Sequence, residues 1–210
     1  NNVLYDYTQH KKLECTGLTM EELMRYNGYI PNSYGLLNDY TDEDLDMLEK
    51  IKSARKTNFS EFKNLTVLSK EHSKVLENKE SGLFQTSKGS YIEWDRNKSI
   101  IDLSLKTKYG YRSFYFKSPN IMRLIFNTGW FEYEVAELIS KWKYAKEVWL
   151  NIIYPYDNQN PKNEIDIIVN TGYKLLMIEC KTQIVDNTNI DKFYTAVKTY
   201  GGLSSKAIFI

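Results

Sequence analysis

Two apolar runs near the C-terminal end carry acids at positions where burial should exclude them. The first reads Asn163-Glu164-Ile165-Asp166-Ile167-Ile168-Val169, and the second, after a polar turn, reads Leu175-Leu176-Met177-Ile178-Glu179-Cys180-Lys181. Short runs this rich in Ile, Val, Leu and Met, bounded by turn residues, predict buried β-strands. An unpaired charge inside such a strand costs on the order of several kcal/mol. With residues 171–174 as the loop, the hairpin pairs Asn170 with Leu175 and Val169 with Leu176, and so sets Asp166 against Glu179. Like charges directly opposite each other destabilise a sheet. A divalent cation is the direct remedy, because paired hard carboxylate oxygens are what Mg²⁺ or Mn²⁺ selects. Lys181, two residues beyond Glu179, projects from the same face, and Cys180 points the other way.

The resulting acid, acid, lysine cluster resembles the PD-(D/E)xK phosphodiesterase motif, written here as Asp166 with Glu179-Cys180-Lys181. A plainer reading puts both acids at solvated strand ends and makes Glu179 and Lys181 a same-face ion pair. The apolar residues on either side of each acid favour the buried cluster.

At 210 residues the chain holds one large or two small domains with enough material for a packed core. No apolar run approaches a membrane span, and no signal peptide is visible. The chain begins Asn1-Asn2 and stops within an apolar stretch, Ala207 to Ile210, which leads us to expect an excised fragment ending inside a buried strand. Cys15 and Cys180 are too few for a disulfide scaffold or a zinc site, which fits a reducing bacterial cytoplasm. His10 and His72 are too sparse for a histidine metal centre. Net charge is +1, and residues 121–210 carry 10 Lys+Arg against 10 Asp+Glu, so neither half advertises nucleic-acid binding through a basic excess. Contact with a polyanion has to come from local clustering and from metal.

Along the chain, residues 3–7 read as a short strand. Thr19 with Glu22 forms a capping box for a helix that Gly28 and Pro31 end. Thr41 caps a second helix whose Asp42, Glu43 and Asp44 suit its N-terminal dipole as a solvated first turn, with Leu45, Leu48 and Ile51 as its apolar stripe. Residues 59–77 continue as one helical stretch that buries Leu65, Leu68, Val75 and Leu76. Residues 83–117 switch to short strands separated by Gly, Ser, Asn and Lys turns. One helix then runs over 119–144, followed by a strand over 148–153, a loop over 154–162, the acidic hairpin, a helix over 188–200 with Ile190, Phe193 and Val197 apolar, and a last strand over 207–210. The expected class is α/β (α+β): a restriction-endonuclease-like core with a mixed sheet flanked by helices, after a small helical and β-hairpin region of winged-helix character. Expected boundaries are 1–40 for a linker, 41–118 for the helical and hairpin region, and 119–210 for the nuclease domain.

Several segments are similar to CRISPR-associated effector nucleases in which a CARF sensor domain precedes a PD-(D/E)xK domain: Leu18-Thr19-Met20-Glu21-Glu22-Leu23, Gly129-Trp130-Phe131-Glu132, Asn163-Glu164-Ile165-Asp166, Ile178-Glu179-Cys180-Lys181-Thr182 and Tyr200-Gly201-Gly202 with Lys206-Ala207. The resemblance implies a homodimer that binds the cyclic oligoadenylate made by a type III CRISPR complex through its CARF domain and then cuts DNA or RNA with little sequence preference. No CARF domain is recognisable in these residues. Carried over by position, Asp166 and Glu179 would hold Mg²⁺ or Mn²⁺ with the main-chain carbonyl of Cys180, and Lys181 would orient or deprotonate the attacking water. The helix carboxylate of the family falls on Glu132; Glu134 and Glu137 are the alternatives, and they share a helix side from which Glu132 projects away.

Lys174, Lys192 and Lys198 are candidates for flanking phosphates, against the plainer reading as solvated surface lysines. Tyr194 and Tyr200 are candidates for base stacking, against a place in the core beside Val197. Two further function classes share the same core: a restriction, resolvase or transposase-like endonuclease with another trigger, and a catalytically silent nucleic-acid-binding module. The intact acid, acid, lysine set speaks against the silent module.

Overall fold

The computed structural model describes residues 3–6, 8, 10–14, 17–155, 164–172, 174–182, 188–202 and 205–210. Cys15, Asn163, Tyr173 and most of the expected loop over 154–162 lie outside the described residues. In chain order the elements are β1 (Val3–Asp6), β2 (Lys11–Glu14), α1 (Met20–Tyr26), β3 (Ser33–Leu36), α2 (Asp42–Thr57), α3 (Phe59–Thr66), α4 (Lys70–Asn78), β4 (Ser81–Gln85), β5 (Tyr91–Asp95), β6 (Ile100–Thr107) and β7 (Gly110–Lys117). They continue with α5 (Ile121–Ile125), α6 (Gly129–Ser140), β8 (Glu147–Ile153), β9 (Glu164–Asn170), β10 (Leu175–Glu179), α7 (Thr188–Tyr200) and β11 (Lys206–Phe209). The architecture is mixed α+β, with a mixed sheet flanked by helices. The chain divides into two compact units, one of residues 1–35 with 136–210 and one of Leu36–Val135. The boundaries expected at 40 and 118 remain a sequence-based expectation beside this division.

The first unit is built on a five-stranded sheet in the order β11-β10-β9-β8-β3. β8, β9 and β10 run antiparallel to one another, and β11 joins β10 in parallel after the α7 crossover. One face is covered by α1 and α7: Met20, Leu23 and Met24 from the first and Phe193, Ala196, Val197 and Tyr200 from the second pack with Trp149, Ile152, Ile165, Ile168, Leu175 and Met177. α1 starts at the predicted capping box, in which Thr19 Oγ1 accepts from the Glu22 N–H and the Glu22 carboxylate accepts from the Thr19 N–H. The strand β3 that follows it was not legible, because Ser33-Tyr34-Gly35-Leu36 is too short and too exposed to show an alternation.

The second unit carries α2, α3 and α4 against an antiparallel meander in the order β4-β5-β6-β7, with Ile92, Trp94, Ile101, Leu103, Leu105 and Phe116 in its core. Here the structure corrects several readings. Asp44 is 1% exposed, not solvated: it closes the α2 capping box with Thr41 and accepts from the N–H and the side-chain amide of Asn120. Burial pushes its carboxyl up, but the hydrogen bonds from Asn120, Thr41 and Ser118 together hold it below the usual carboxylate range. Leu45 is exposed, and Met47 and Ala54 join Leu48 and Ile51 on the buried stripe. The helix expected over 59–77 is two helices, because Ser69 caps α4 afresh and the Leu68 N–H donates to Asn127 Oδ1 instead of to its own helix.

The helix expected over 119–144 is likewise broken between α5 and α6. Asn127 and Thr128 take φ of 51° and 70°, left-handed values that no continuing helix tolerates. Gly129 restarts the helix against the preceding turn, where an added Cβ would stand 1.8 Å from the Arg123 carbonyl oxygen. In the first unit Ile190 is exposed, and β11 presents Ala207 and Ile208 to solvent where a buried strand was expected.

Candidate active site

The β9–β10 register is the one the hairpin argument gives: Asn170 faces Leu175, Val169 faces Leu176 and Ile167 faces Ile178. One step further along that register Asp166 meets Glu179. The regular ladder stops there, and the Asp166 carboxylate takes over the pairing, its Oδ2 accepting the Cys180 N–H at 2.7 Å. The short segment after β10 is fixed from the other side by β11, since the Lys181 N–H donates to the Ile210 carbonyl and the Ile210 N–H donates to the Glu179 carbonyl. Asp166, Glu179 and Lys181 are thereby placed by backbone hydrogen bonds on both flanks.

Lys181 Nζ lies 2.5 Å from Glu179 Oε1 and 3.4 Å from Asp166 Oδ2, so one ammonium bridges acids from neighbouring strands. Asp166 is 6% exposed. Burial pushes its carboxyl above the usual range, against the pull of Lys181 and the Cys180 N–H. Glu179 is pushed up by burial and then by the Asp166 charge, with Lys181 opposing. At Lys181 burial is the largest single influence and pulls the amine down, but the two carboxylates together exceed it and hold the amine above its usual value. Burial therefore wins at the acids and the ion pairs win at the lysine, which is the pattern of two carboxylates that share too little positive charge.

Among the described residues no three His, Cys, Asp or Glu side chains converge as a metal-holding group. A cation at this spot would draw on Asp166, Glu179, the Cys180 carbonyl and water. That donor set fits Mg²⁺, which keeps several waters and takes few protein carboxylates. The fit has a direct mark in the structure, because the cleft between the two carboxylates already accommodates a cationic group, the Lys181 ammonium.

A third strand, the one expected over 148–153, borders the site, and the sequence reading gave none of its residues a place there. β8 and β9 stay in one register from Glu147 opposite Asn170 to Ile153 opposite Glu164, but the position of Asn151 opposite Asp166 drops out of the ladder. Asn151 has a φ of 50°, and Trp149 and Ile152, which regular alternation would place on opposite faces, both join the same core cluster. The β8 strand thus shifts its phase at the residue across from Asp166. The signal in the sequence was an Asn inside Val-Trp-Leu-Asn-Ile-Ile, since Asn is among the few non-glycine residues that accept a left-handed backbone. Glu164, two residues before Asp166, adds negative potential at Glu179.

The other expected residues sit on other elements. Glu132 is 8% exposed on α6 and belongs to the second unit; Glu134, in the same unit, pairs with Lys52, and Glu137 pairs with Lys141. Lys174 is exposed at the start of β10, and Lys192 and Lys198 are exposed on α7. Lys198 Nζ sits 4.4 Å from the ring centroid of the exposed Tyr194. Tyr200 is core, stacked on Tyr154 with centroids 3.9 Å apart. Cys180 is buried. No helix among the described residues is long and apolar enough to cross a membrane.

No family model matches the chain, and none of the curated proteins does. Among solved structures it is similar to protein VC1899 from Vibrio cholerae, with a TM-score of 0.57 at 15% identity over 92% of this chain and 52% of that one. It is also similar to Can2 from Sulfobacillus thermosulfidooxidans, solved in complex with cyclic tetra-adenylate, with a TM-score of 0.49 at 20% identity over 99% of this chain and 56% of that one. The chain spans about half the length of each. The likeness to VC1899 shows a shared fold.

Proposed function

We propose that this chain is a metal-dependent nuclease that hydrolyses phosphodiester bonds at Asp166, Glu179 and Lys181. The observation that carries this reading is the buried Asp166 and the partly buried Glu179 on adjacent strands with one lysine bridging them. A structural ion pair needs one acid for one base, whereas here a second acid remains under-compensated, and such a strained set is typical of sites built for chemistry. Asp166, Glu179 and the Cys180 carbonyl would hold Mg²⁺ or Mn²⁺. When bound, that ion would neutralise charge on the scissile phosphate and acidify bound water. Lys181 Nζ would hydrogen-bond the attacking water or a phosphate oxygen.

The motif resemblance extends the proposal to an effector of type III CRISPR defence, active as a homodimer and switched on by cyclic oligoadenylate through a CARF domain. Glu132 is the proposed helix carboxylate, and Lys174, Lys192 and Lys198 are proposed to hold flanking phosphates. A fluorescently end-labelled single-stranded oligonucleotide, as DNA and as RNA, tests the reaction. Cleavage is expected with Mg²⁺ or Mn²⁺ and none with EDTA, and cleavage that continues undiminished in chelator would overturn the chemistry.

A further inference from the structure

In the second unit, the β6–β7 hairpin ends in Lys108-Tyr109 between Thr107 and Gly110. Tight hairpin turns favour Asn, Asp and Gly, which supply the backbone geometry and dissolve in water. Tyr109 does neither: it is 88% exposed. Tyr111, 56% exposed, stands across from Lys106 on the solvent side of the strand pair, opposite to the side on which Leu105, Leu103 and Phe116 are buried. Lys106 Nζ is 5.6 Å from the Tyr111 ring and Lys108 Nζ is 4.7 Å from the Tyr109 ring. Arg112, opposite Leu105, projects from the other face of the pair; the neighbouring β4–β5 turn reaches the same end, where the Lys106 N–H donates to Ser90 Oγ and Lys88 is ion-paired with Glu61. Residues 103–117 contain Lys106, Lys108, Arg112 and Lys117 and no acid, in a chain whose net charge is only +1. The cluster stops at Asp102 and Glu93, which pair across the middle of the sheet.

Packing accounts for Tyr111 only in part, through its hydroxyl against Gly89, whereas Tyr109 is 88% exposed at the tip, and Lys106 and Lys108 put like charges side by side there. Both features become favourable against a flexible polyanion that offers unpaired ring faces: cations track the phosphates while tyrosines stack on bases. An acidic peptide would use the charges and leave the rings idle, and a duplex has its base faces already stacked.

We propose that this hairpin tip is a binding site for single-stranded nucleic acid, in which Tyr109 and Tyr111 stack on bases and Lys106 and Lys108 contact phosphates. The site deepens the nuclease reading by supplying the strand-holding surface that the net charge does not reveal. Its test is independent of cleavage. Fluorescence anisotropy with a labelled single-stranded 30-nucleotide DNA in EDTA is read for the unaltered chain and for Tyr109→Ala with Tyr111→Ala, the same two positions changed to Phe, and Lys106→Gln with Lys108→Gln.

The alanine pair is expected to weaken binding by about 30-fold, since each stacked base contributes about 1–3 kcal/mol. The phenylalanine pair should retain binding. The glutamine pair should flatten the dependence of log affinity on log salt by roughly 0.7 per lost phosphate contact. Circular dichroism should stay unchanged throughout, because every altered side chain is exposed. Equal affinity of the alanine pair and the unaltered chain, or equal affinity of the unaltered chain for duplex and single strand, would overturn the proposal. Hairpin-dependent binding without cleavage in Mg²⁺ would leave it standing and remove the nuclease reading instead.

Discussion

Asp166→Asn and Glu179→Gln are each expected to reduce cleavage by at least about a thousandfold, because stabilising charge at the reacting phosphate is commonly the largest single contribution to a reaction of this kind. Neither change should lower the melting temperature of the metal-free chain. An amide oxygen at Asp166 can still accept the Cys180 N–H, and the substitution removes a buried negative charge that Lys181 must share with Glu179. The sign with pH follows from the upward shifts at both acids. A carboxyl whose folded pKa lies above its unfolded value contributes stability when protonated, and that contribution is lost as pH rises through the folded pKa. Asp166→Asn and the unaltered chain should therefore melt together in acid, and the variant should melt higher as pH rises beyond the usual carboxylate range. A variant that melts well below the unaltered chain at neutral pH would mean that the acids are structural.

Lys181→Met is expected to show the opposite stability and the same silence. Removing the lysine leaves the buried Asp166 and the partly buried Glu179 facing each other without this counter-ion, so the metal-free protein should lose stability. The loss should fall between the roughly 3–5 kcal/mol of a broken buried pair and the ~0–1 kcal/mol of an exposed one, because the lysine side chain is 32% exposed. Mn²⁺ should restore much of the melting temperature, while cleavage stays about 10²–10⁴-fold down for want of the group that handles the proton. Loss of stability that Mn²⁺ does not relieve would make Lys181 a structural counter-ion.

The acidic hairpin was legible because its register follows from loop length and from period-2 alternation, and its ladder runs as expected as far as Ile167 and Ile178. The Thr19–Glu22 capping box and the Thr41 N-cap were legible for the same local reason. What escaped was set by contacts between distant residues. Asp44 looks like one more acid in a solvated first turn, until Asn120, far along the chain, donates two hydrogen bonds to it. The break at Asn127 and Thr128 needs positive φ at two residues, neither of them glycine, inside an apolar helical pattern. β3 exists only because β8 offers it an edge, and Asn151 shows its purpose only when its neighbour across the sheet is known to be Asp166. The hairpin-tip tyrosines were visible as letters, but their exposure was not.

The most direct measurement is a calorimetric titration of the metal-free chain with Mn²⁺, beside the Asp166→Asn, Glu179→Gln double variant. The unaltered chain should bind the ion at one site per chain, and the double variant should give only the heat of dilution. Matching titrations for the two proteins would contradict the account, because the paired acids of β9 and β10 would then hold no cation.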